Sequence, residues 1–85
     1  MYEYLISEYV KNISTQDIIN FGLTKNIEIS LNDAKILLHY VVNNYKDLIS
    51  DNNESIIKEI KRKIDPITFD KVYKIYLEYR NKYLP

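Results

Sequence analysis

The chain is expected to be a single all-α domain, residues 1–85, of about five helices packed around a central helix at about 31–49. Three observations predict this. The stretch from Ser30 to Ile49 is the longest clean periodic segment, and its apolar residues recur at helical spacing. Serine or aspartate caps recur at the starts of the other apolar stretches. Finally, 85 residues suit one domain that buries only about 60 to 65% of its unfolded surface, so a partner surface would add stability.

Tyr2 to Asn12 forms the first expected helix, with Tyr2, Leu5, Ile6, Tyr9 and Ile13 toward the core and Glu3 and Ser7 turned away. Ser14 followed by Asp17 has capping-box form and opens a second helix through Ile18, Ile19, Phe21 and Leu23. Gly22 weakens that helix by roughly 1 kcal/mol, and it should end between Gly22 and Lys25. From Lys25 to Ser30 the pattern alternates, with Ile27 and Ile29 on one side and Glu28 opposite, as in an extended connector pinned to the core.

Ser30 and Asp33 cap the central helix. Its core face is read as Leu31, Leu37, Leu38, Val41, Val42, Tyr45, Leu48 and Ile49, in an arc of about 140° around Ala34. Ile36 and Tyr40, an i,i+4 pair, fall on the other face and form one candidate protein contact. Turn chemistry from Ser50 to Ser55 precedes a fourth helix at about 53–64, with Ile56, Ile57, Ile60 and Ile64 inward. Asp65-Pro66 then supplies an N-cap and a first-turn proline for a fifth helix reaching about Lys82.

Composition excludes more than it selects. Without cysteine there is no disulfide, thiolate nucleophile or thiolate zinc site, as suits a reducing cytoplasm. The N-terminus has no basic leader, and the near-apolar run Ile36 to Val42 is too short to span a bilayer, so a soluble, unprocessed, cytoplasmic protein is expected. Net charge is zero, but residues 1–57 carry four basic and eight acidic side chains (4 − 8 = −4) and residues 58–85 carry eight basic and four acidic (8 − 4 = +4). No catalytic, metal-binding or cofactor-binding set is found. His39 has no second His or Cys to share a metal, and it lies six residues beyond Asp33, too far along a helix for a triad with Ser30.

Two stretches invite a binding role. Lys58, Lys61, Arg62 and Lys63 could meet phosphates, which makes a nucleic-acid-associated accessory protein the alternative reading. They are also explained as dipole-complementing residues at a helix C-terminus, with acidic-first i,i+4 pairs at Glu54/Lys58, Glu59/Lys63, Asp70/Lys74 and Glu78/Lys82. The fifth helix carries apolar and aromatic side chains over about 200°, where a surface helix needs a little over 100°. Either it is sandwiched within its own domain, or it offers Tyr73, Leu77 and Arg80 to another protein or a second copy.

The segments S-T-Q-D-I-I (14–19), N-I-E-I-S-L-N-D-A-K-I (26–36), I-I-K-E-I (56–60) and D-P-I-T-F-D-K-V (65–72) together resemble a small domain-of-unknown-function family of low-GC Gram-positive bacteria. That resemblance implies a fold and carries over no catalytic or ligand residues. Thr15 to Ile49 is locally similar to helix-extension-helix modules, whose branches bind DNA or protein. Here the connector holds only Lys25 against Glu28, without the basic residues of the DNA branch. The reading is a non-catalytic helical interaction module, a homodimer included, with no membrane, small-molecule substrate or cofactor expected and nucleic acid second to protein as partner.

Overall fold

A computed structural model describes the backbone of residues 2–83 and the side chains of residue 5 and residues 7–82. Its helices are α1 (Tyr2–Asn12), α2 (Thr15–Thr24), α3 (Leu31–Ile49), α4 (Glu54–Lys63) and α5 (Pro66–Tyr83), with no strand among the described residues. The all-α fold and all five helices agree with the sequence reading to within a residue or two at each end. The connections are short: residues 13–14, 25–30, 50–53 and 64–65.

Local chemistry accounts for most of these boundaries. Ser14 Oγ accepts the Asp17 N–H at 3.1 Å while Asp17 Oδ2 accepts the Ser14 N–H at 2.9 Å, a complete capping box. At the other end of α2, Asn26 takes φ 60°, its N–H donates to the Leu23 carbonyl, and the Ile27 N–H donates to the Gly22 carbonyl at 2.8 Å. This is a Schellman closure, and it turns the chain directly into the connector. Ile27 and Ile29 are then buried and Glu28 is exposed, as the alternation predicts.

Ser30 caps α3 by accepting the Asp33 N–H at 3.1 Å, but Asp33 does not complete a box. Its carboxylate is buried and accepts the Asp65 N–H at 3.2 Å, tying the start of α3 to the α4–α5 turn. Asp65 in turn caps α5 through Oδ2, which accepts the Thr68 N–H at 3.0 Å, with Pro66 in the first turn. One further feature of α3 left no trace in its periodicity. The helix kinks at Asn44 (φ −132°, ψ 19°), just after Asn43 directs its side-chain amide to the His39 carbonyl at 2.7 Å. A side chain entering the helical ladder in this way is a recognised cause of bending.

The core joins Ile27, Ile29, Ala34, Leu37, Tyr40, Ile60, Ile64 and Phe69, so α3 is central as expected, contacting α1, α2 and α4, while α5 packs chiefly on α4. Which faces turn inward needs correction. Leu31 and Val42 are exposed, whereas Tyr40 is 6% exposed and Ile36 packs on the core. Because α3 is held between α2 and the connector on one side and α4 on the other, it buries two faces, and Ile36 and Tyr40 belong to the α4 side. They are therefore not an exposed contact. Among the described side chains of α1 the buried one is Val10, with Leu5 and Tyr9 in water. That helix has apolar residues on more than one face, so periodicity could not choose between them. Tyr2 and Ile6 fall outside the described side chains, as do Tyr83 and Leu84 at the C-terminal end.

Candidate functional site

The wide apolar arc of α5 resolves into two faces with different roles. One face packs inward and sideways. Phe69 is buried, Tyr73 stacks on it with centroids 5.4 Å apart, and Tyr76 stacks on Tyr73 at 6.0 Å. At the end of this ladder the Tyr76 hydroxyl donates to the Leu48 carbonyl and accepts from Asn53 Nδ2 at 2.8 Å. Asn53 stands at the start of α4 without a side-chain cap bond, because its amide is directed to Tyr76 and to the Ser50 carbonyl. Arg80 Nη2 reaches Asp51 Oδ1 at 2.5 Å, so the 50–53 turn is fastened to α5 at two points.

These contacts shift the titration of Tyr76 and Arg80. Burial, above all, pushes the Tyr76 hydroxyl above its ordinary value of 10.0, with the Asn53 hydrogen bond and the Arg80 charge opposing. The Arg80 guanidinium is raised, chiefly by its bond to Asp51. For Tyr76 the sign follows directly: the folded state holds the proton longer than the unfolded one. Its contribution to stability is complete below pH 10.0 and is lost as pH rises from there through the higher folded value. Tyr76→Phe is expected to cost about 1 to 2 kcal/mol at neutral pH and to remove this component of the alkaline decline. Urea unfolding at stepped alkaline pH checks both effects.

The second face of α5 lines a groove of about 400 Å³. Val72, Ile75, Tyr76 and Tyr79 form its α5 wall, while Ile18, Phe21 and Gly22 of α2, Tyr9 of α1 and Ile13 just after it contribute the other. Ile27 and Ile29 of the connector, with Leu37 of α3, lie deepest, and the half-buried Val41 of α3 stands nearer the opening. The walls meet where the Phe21 and Tyr79 rings approach to 5.9 Å, and Lys25 Nζ sits 5.2 Å from the Tyr79 centroid and 6.0 Å from that of Phe21. At its edge Asp17 is already employed in the α2 cap, and the Tyr76 hydroxyl in its bonds to Asn53 and the Leu48 carbonyl. What the groove offers is apolar surface, within the usual size range of binding sites. Comparison with protein-family models, with curated proteins and with solved structures finds no match.

The residues singled out from sequence are distributed as follows. Tyr73 is half-buried in the ladder, Arg80 is committed to Asp51, and only Leu77 of that trio is exposed, so the structure does not join them into one open patch. The basic residues also diverge. Lys58 pairs with Glu54 at 3.1 Å, Lys61 Nζ lies 5.9 Å from the Phe69 centroid, and Lys63 Nζ lies 5.3 Å from that of Tyr40. Lys58, Lys61 and Arg62 share a shallow surface with Glu54 and Glu59, which dilutes its positive charge, while Lys63 is turned elsewhere. Among the described residues no three His, Asp or Glu side chains converge as a metal site, and no helix is long and apolar enough to cross a membrane.

Sequence reasoning missed the groove, although its signal was present. The excess arc of α5 included Val72, Ile75 and Tyr79, and the single glycine of the chain marked a close approach. Periodicity points equally to Tyr73, Leu77 and Arg80, because nothing in the sequence says which half of a wide arc the neighbouring helix will cover.

Proposed function

We propose that the chain is a non-catalytic helical interaction module that receives apolar side chains of a protein partner in the groove between α5 and the α1–α2 pair. The observation that carries this is the groove itself, apolar in its depth and built from three helices and a connector beneath the α1 lip. Asp17 and the Tyr76 hydroxyl at its edge serve the fold, so binding there would rest on burial of apolar surface rather than on proton transfer or nucleophilic attack. A protein is favoured over a small molecule because apolar surface continues outside the groove. Tyr9, 63% exposed, is followed one turn away on α1 by Leu5, 57% exposed, and Phe21 is also in water on the lip. Aromatic residues around an apolar centre are characteristic of protein interfaces.

Photo-crosslinking tests this reading. A photoreactive phenylalanine analogue at Phe21 should give adducts of protein mass in cells, and the same group at Ile67, exposed but not lining the groove, should not. Adducts of small-molecule mass alone, or protein adducts equally abundant at both positions, would sink the proposal.

A further inference from the structure

We draw no further inference here: the strongest candidate, the apolar groove between α5 and the α1–α2 pair with the exposed Leu5 and Tyr9 of α1 beside it, belongs to the site already described, and nothing in the structure shows what covers it.

Discussion

Leu37→Asp is expected to abolish cooperative unfolding, while Val41→Asp, one turn further along the same helix, leaves a folded domain. Leu37 is 7% exposed and lies in the core with Ile27, Ile29 and Ala34. Substitution there removes the burial of a leucine, about 2 to 5 kcal/mol, and adds several more for an unpaired carboxylate away from water. A domain of this length holds about 4 to 13 kcal/mol in all, so the sum consumes most of it. Val41 is half-buried and lines the open groove, where water can reach an introduced carboxylate. Urea melts followed by far-UV circular dichroism should show no transition for the first variant and a shifted but sharp one for the second. Equal behaviour of the two would mean that the groove is closed in solution.

Gly22→Val is expected to destabilise by about 3 kcal/mol, and even Gly22→Ala should lose stability despite its better helix propensity. A Cβ at this position would stand 2.8 Å from Ile29 Cδ1 and 2.9 Å from the Ile27 carbonyl oxygen. The isoleucine methyl can rotate aside. The carbonyl cannot, because Ile27 is anchored by its own N–H to the Gly22 carbonyl and by a side chain only 4% exposed. The connector would have to lift from α2, carrying Ile27 and Ile29 out of the core. A urea midpoint for Gly22→Ala at or above that of the parent would refute this close-packing account.

The contrast at Gly22 shows what the sequence could and could not convey. Local rules were legible: the Ser14–Asp17 box, the Asp65-Pro66 start and the alternation around Ile27 and Ile29 depend only on neighbours in the chain, and all appear where expected. Signs that depend on distant neighbours were not. Gly22 reads as a weak point in a helix, yet the missing side chain is what lets the connector lie against α2. Asp33 reads as half of a capping box, yet its carboxylate is drawn to a backbone donor 32 residues away. Ile36 and Tyr40 read as the outer face of α3 because one helix was assigned one inner face, and only the placement of α4 shows that there are two. The candidate site suffered most, since a groove belongs to several elements at once and no single helix displays it.

The short connections of the fold have a kinetic consequence. With two, six, four and two residues between successive helices, every turn closes over a small loop and most native contacts form between segments adjacent in the chain. Little entropy is lost before those contacts begin to stabilise the chain, and topologies of this sort reach the native state in microseconds to milliseconds. A nascent copy should therefore complete its own tertiary structure long before it encounters another, which would make any pairing an encounter of finished bodies rather than an exchange of unfolded ones.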